Sequence, residues 1–274
     1  PDAAGSARHL VPISTGSSPE RLLYIVHGAG GNVLNFRDLA AALAPDWGVT
    51  GIQASGVDGV TPMHGSMDEM CEAYIAELER DRPHGPLFLA GFSGGGIIAF
   101  EIAARLRERG REVEMLVLLD TFHPSVRGRR RTVGEHARAL RQQGPAYLAE
   151  RRQVRRNRRL YAHPAAVVAA KRKPGQPVPH ELRDPLLVAN TRSIIDAWTP
   201  RRYDGRVQML AAADVLDVFA HAGPDRGWGA WTSDLTCESV PGGHLDFVVA
   251  PHARELAERL RVVLGHRLPT GTPA

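Results

Sequence analysis

A chain of 274 residues with 43% hydrophobic content carries enough apolar side chains for one large core, and α/β folds of this length commonly form a single domain. Its two cysteines, Cys71 and Cys237, stand far apart with neither CxxC nor Cys/His spacing, which argues against a disulfide framework and a structural zinc site; no metal is expected. No run of roughly 18 apolar residues and no basic-then-apolar leader is present, so the reading is of a cytoplasmic protein without a membrane partner.

Taken in chain order, residues 1–20 read as an N-terminal linker, and Leu-Leu-Tyr-Ile-Val at 22–26 as a buried strand. Apolar residues recur at helical spacing over 34–43 until Pro45 stops them; a weaker strand spans 49–54, a Gly/Pro/Ser-rich loop 55–66 and a helix 67–78. A strand at 87–90 is followed by Gly-Phe-Ser-Gly-Gly-Gly and a helical run over 97–109 that Gly110 closes. The next core strand covers 113–119. From 121 to 202 the periodicity is helical, broken by a loop at 171–177, and this segment reads as an insertion. Strands resume at 207–211 and 236–240, a helix spans 253–264, and 267–274 reads as a tail. The alternation predicts the α/β class: a mostly parallel sheet wrapped by helices, with a core of 21–120 and 203–266.

The net charge of +4 is unevenly placed. Between Arg127 and Arg159 twelve arginines meet only Glu135 and Glu150. Nucleic-acid binding would require exposed aromatics interleaved with the basic residues, and only Tyr147 and Tyr161 lie nearby, so no nucleic-acid partner is expected.

The motif with chemical meaning is Gly91-Phe92-Ser93-Gly94-Gly95, which fits GxSxG between a predicted strand and a predicted helix. In that context the serine occupies a strained turn, and its neighbours must lack β-carbons so that strand and helix can approach while Oγ stands clear. A phosphate loop would use the same free amides, but neither GxGxxG nor the P-loop spacing is present. A serine hydroxyl needs a base within hydrogen-bond reach, itself oriented by an acid. Among the later histidines only His244, in Pro241-Gly242-Gly243-His244 after the strand at 236–240, has the required setting. Asp120 ends the strand at 113–119 and is the favoured acid, with Asp214 and Asp217, after the strand at 207–211, as topologically possible alternatives. The oxyanion donors are expected from the backbone amides of Gly94 and of Ala29, in the loop His27-Gly28-Ala29-Gly30-Gly31-Asn32; His27 reads as structural rather than catalytic.

Tyr24-Ile25-Val26-His27-Gly28-Ala29-Gly30-Gly31, the GxSxG segment, Asp120, Gly227-Trp228 with Trp231, and Val240-Pro241-Gly242-Gly243-His244 together resemble the thioesterase domains of polyketide synthases and nonribosomal peptide synthetases. The resemblance spans about Leu22 to Leu264 and implies the α/β-hydrolase fold, Asp120 as the acid and residues 121–202 as a helical lid. It also implies an enzyme that takes an acyl chain from the phosphopantetheine arm of an acyl or peptidyl carrier protein and releases it by hydrolysis or macrocyclisation. No cofactor of its own is expected. A free-standing editing (type II) thioesterase or general esterase is the alternative, with its acid after the later strand, and a non-catalytic carrier-binding module the remaining one. Arg155 and Arg156, in the basic segment, are candidate contacts to a carrier protein or its phosphate, as against an ordinary solvated helix face.

Overall fold

The computed structural model describes residues 9–126, 132–145, 147–148, 152, 176–215 and 219–265. Among them lies one seven-stranded sheet: β1 (Leu10–Ser14), β2 (Leu22–Val26), β3 (Gly48–Ile52), β4 (Phe88–Phe92), β5 (Met115–Leu119), β6 (Tyr203–Asp214) and β7 (Thr232–Gly243). Their order is β1-β3-β2-β4-β5-β6-β7, with β1 antiparallel to β3 and every other pair parallel. The helices are α1 (Arg37–Leu43, after a 3-10 turn at Leu34–Phe36), α2 (Met67–Asp81), α3 (Gly94–Glu108), α4 (Val133–Gln143), α5 (His180–Ala197) and α6 (Ala253–Gly265).

The central strands are apolar on both faces because both are covered, as parallel sheets require. Successive side chains separate into two cores. Leu23, Ile25, Phe88, Ala90, Met115, Val117 and Leu119 pack with Leu39 and Leu43 of α1 and Leu256 and Leu260 of α6. Tyr24, Val26, Leu89, Leu116 and Leu118 pack with Tyr74 of α2 and Ile98 and Ile102 of α3. The chain runs from β2 outward to β3 and then returns past β2 to β4, so the strand order reverses between β2 and β4. That reversal opens a crevice at the strands' carboxyl ends.

Of the boundaries at which the structure differs from the sequence reading, three bear on the sheet edge and the site. The expected linker 1–20 contains β1: the amides of His9 and Leu10 donate to the Glu77 carboxylate of α2, which ties this segment to the sheet edge. β7 continues three residues beyond 240 and takes in Pro241, because it is an edge strand with a long partner in β6, paired as far as Asp214 with Gly243. α3 starts at Gly94, close to the start expected near Gly95 and ahead of the clear helical run at 97–109, since packing at the turn outweighs the poor helix propensity of glycine. Within the predicted insertion 121–202, α4 and α5 are helical, while residues 121–126 are not; most of the loop expected at 171–177 lies outside the described residues.

Candidate active site

β4 ends at Phe92 and α3 begins at Gly94, so Ser93 alone makes the turn, with φ 56° and ψ −123°. A left-handed backbone is strained for a residue with a β-carbon and persists only where its surroundings impose it. Here close packing does so. A β-carbon on Gly91 would run into the Gly95 carbonyl, and one on Gly95 into the carbonyl of His27 at the end of β2. The Ser93 amide donates to the Leu119 carbonyl at 3.0 Å, which anchors the turn to β5.

His244, immediately after β7, reaches across this turn. Its Nε2 lies 2.9 Å from Ser93 Oγ and its Nδ1 2.6 Å from Asp120 Oδ2. With Asp120 accepting, Nδ1 carries the proton and Nε2 is left to accept from the serine hydroxyl. Asp120 itself is 3% exposed and sits at φ 41° just past β5; its amide donates to the Leu210 carbonyl, and its Oδ1 accepts from the Ala212 amide at 3.1 Å. The Phe92 ring stacks on the imidazole at 5.2 Å between centroids. A hydroxyl, an imidazole and a carboxylate in this series can pass the hydroxyl proton to the ring while the carboxylate stabilises the resulting imidazolium.

The structure brings Ser93, Asp120 and His244 together and leaves Asp214 apart: it is exposed, its backbone pairs with Gly243, and no hydrogen bond joins its carboxylate to His244. Asp217, Arg155 and Arg156 lie outside the described residues. Among the described residues no cluster of three or more His, Cys, Asp or Glu side chains is placed to hold a metal ion, and no helix is long and apolar enough to cross a membrane.

The two predicted oxyanion donors lie side by side. Ala29 N is 3.9 Å from where a β-carbon on Gly94 would sit, and as the first residue of α3, Gly94 has an amide with no intrahelical acceptor. His27 orients the other donor. Its Nδ1 lies 2.6 Å from the Gly28 carbonyl, which also accepts from Gly31 N at 2.9 Å, and its Nε2 lies 2.8 Å from the Tyr74 hydroxyl. The carbonyl can only accept, so Nδ1–H donates and Nε2 accepts from Tyr74. Because a trans peptide points its C=O and N–H in opposite directions, fixing the Gly28 carbonyl aims the Ala29 amide away from His27. Burial pushes the His27 imidazole down to about 4, which keeps it neutral in this role.

α5 lies over the site. Ile195 Cδ1 is 3.2 Å from the β-carbon position of Gly94, Leu187 Cδ2 3.4 Å from that of Gly31, and Asn190 donates to the His64 carbonyl. Its far end is held by Glu101 of α3, 1% exposed, whose carboxylate accepts from Trp198 Nε1 at 3.0 Å and pairs with Arg105 and Arg201. Sequence reasoning gave His27 a structural part without its partners, and missed Tyr74, the stacking of Phe92 and the buried Arg226 behind Asp120. Only His27, set in the Gly-rich loop, carried a signal.

A profile of the thioesterase domain family matches residues 21–262. Enterobactin synthase component F of Escherichia coli (strain K12) is 28% identical over 255 residues, covering 93% of this chain and 18% of that protein. The chain thus spans less than a fifth of that relative's length. Among solved structures, the NocB thioesterase domain in covalent complex with a fluorophosphonate nocardicin G analogue superposes with a TM-score of 0.66 at 23% identity, over 93% of this chain and 99% of that one. A four-domain nonribosomal peptide synthetase, holo-AB3403 bound to AMP and glycine, gives a TM-score of 0.70 at 23% identity, over 95% of this chain and 20% of that one. At these identities the two structures speak for the fold.

Proposed function

The chain belongs to the thioesterase domain family, and from that premise we propose that it releases an acyl or peptidyl chain from the phosphopantetheine thioester of a carrier protein through an acyl-enzyme on Ser93. The observation that carries this reading is His244, within hydrogen-bond distance of Ser93 Oγ on one side and Asp120 Oδ2 on the other. His244 takes the hydroxyl proton as Oγ attacks the thioester carbonyl; the amides of Ala29 and Gly94 bind the oxyanion; the C–S bond breaks and the pantetheine sulfur leaves with the proton from the imidazolium. A second nucleophile, water or a hydroxyl or amine of the chain itself, then gives its proton to His244 and frees the acid or a macrocycle. Phosphopantetheine arrives with the substrate, and the reaction as proposed calls on no resident cofactor. The carrier-protein partner is supported by the family and by relatives that are multidomain synthetases. Contact of an acid after β5, rather than Asp214 after β6, with His244 favours this over the editing-type alternative.

The test is intact mass spectrometry of the protein incubated with an acyl-N-acetylcysteamine thioester. One acyl adduct on the wild type and none on Ser93→Ala is expected. An adduct that persists in Ser93→Ala, in a protein with unchanged thermal melting, overturns the assignment of the nucleophile.

A further inference from the structure

Among the described residues, three other than glycine have a positive φ in the left-handed region: Ser93 at 56°, Asp120 at 41° and Arg226 at 50°. Such strain persists only where the surroundings over-determine it, and it gathers at functional sites. The first two belong to the proposed triad; Arg226 lies in the crossover between β6 and β7, directly before Gly227-Trp228, where no catalytic pattern points to it. It is 5% exposed, and its Nε has no hydrogen-bond partner. A buried, permanently charged guanidinium with an unused donor is unfavourable for folding alone.

Its surroundings converge on Asp120. Arg226 Nη2 donates to the Ala212 carbonyl at 3.0 Å, and the amide of that same Ala212 donates to Asp120 Oδ1 at 3.1 Å. Nη2 itself stands 3.9 Å from Oδ1, the oxygen that His244 does not use. The guanidinium carbon sits 4.9 Å from the centre of the Phe122 ring, and the Arg226 carbonyl accepts from His123 N at 3.0 Å. The other ionisable groups near Arg226 are Asp225 on its own loop, whose carboxylate accepts from the amides of Gly227 and Gly229, Cys237 on β7 and His123 after β5; on the His244 side, Asp214 of β6 and Asp246, which pairs with His252, stand beside Gly243.

Resting on the triad reading above, we propose that Arg226 is a positioning residue for the catalytic acid: through Ala212 and its own charge it holds Oδ1, turns Oδ2 toward His244, and sets the pH at which the base becomes active. The sign follows from the charges. A fixed positive charge beside Asp120 offsets part of the carboxylate's attraction for a charged imidazole. Removing that charge leaves the carboxylate's pull uncompensated.

The experiment compares Arg226→Gln, which keeps a side-chain amide donor and loses the charge, with Arg226→Lys, which keeps the charge. The readouts are kcat/KM for a small acyl thioester across pH 5 to 9 and, separately, the rate of Ser93 labelling by a fluorophosphonate. The acid limb of both profiles moves up by about one pH unit in Arg226→Gln and stays near the wild-type position in Arg226→Lys. A limb that does not move in Arg226→Gln, one that moves equally in both variants, or a loss of folding in both overturns the proposal, since a merely structural arginine lowers stability or plateau rate without displacing the limb. Wild-type protein whose Ser93 is not labelled at any pH would instead defeat the triad reading itself.

Discussion

At the scale of single residues the acid is the position most open to test. Asp120 Oδ2 accepts from His244 Nδ1 across 2.6 Å, and the carboxylate is itself held by the Ala212 amide. Asparagine there preserves size but offers neither the charge nor the right acceptor for the imidazole tautomer. Asp120→Asn should therefore lower kcat by roughly four orders of magnitude, about 5 kcal/mol, with little change in KM, whereas Asp214→Asn, at an exposed carboxylate, should leave kcat nearly intact. Steady-state kinetics of the two variants decides it, and the reverse ranking would move the acid to β6. Ser93 and His244 were legible from sequence because the motif and the strand-end loop are local patterns. Asp120 was only favoured, because three carboxylates follow strands of the sheet and no spacing says which of them meets the imidazole.

At the scale of elements, the nucleophile turn depends on how closely β4, α3 and β2 approach. A β-carbon on Gly95 meets the backbone carbonyl of His27, which cannot swing aside, while one on Gly94 meets Ile195 Cδ1 at 3.2 Å, the end of a side chain that can. Gly95→Ala is expected to abolish folding or lower stability by at least about 3 kcal/mol in urea denaturation, a cost at the upper end of overpacking, and Gly94→Ala to leave the melt close to wild type. Equal melts would show that the turn relaxes more freely than its contacts allow. A second element test concerns α5 and α3. Glu101→Ala leaves Arg105, Arg201 and the Trp198 indole without their shared buried partner, though Arg105 retains Asp68 and Glu72 and Arg201 retains Glu108. The expected loss is about 2 kcal/mol, below the ~3–5 kcal/mol of a fully buried pair, because Arg201 is 38% exposed and both arginines keep another carboxylate. Because α5 ends at this carboxylate and leans on Gly94 and Gly31, turnover should fall along with stability; stability loss with unchanged turnover would separate the two.

At the scale of the whole molecule, buried imidazoles tie stability to pH. Burial pushes His27 and His123 from the ordinary 6.5 down to about 4, and His64 down as well. These groups stay neutral in the folded chain while the unfolded chain protonates them near 6.5, so the stability they contribute is complete above that pH and is lost as pH falls toward 4. For the fully buried His27 alone the loss is about 3 kcal/mol, at about 1.36 per unit. Thermal melting should be flat above pH 7 and fall steadily between pH 6.5 and 4, less steeply in His27→Gln; a melt that rises over that window contradicts the placement of these rings. The α/β class, the alternation of strands and helices from residue 22 onward outside the insertion, the serine turn and the histidine that meets it were legible in the sequence itself, since each rests on local periodicity or on glycines within a few positions. Tertiary structure alone decided that the first strand lies inside the expected linker, that Asp120 and not Asp214 meets His244, and that Arg226 stands behind the acid. Each of these depends on contacts between strands far apart in the chain, β1 with β3, β5 with β6, and the β6–β7 crossover with both, and on the register that carries Asp214 outward while turning Asp120 in.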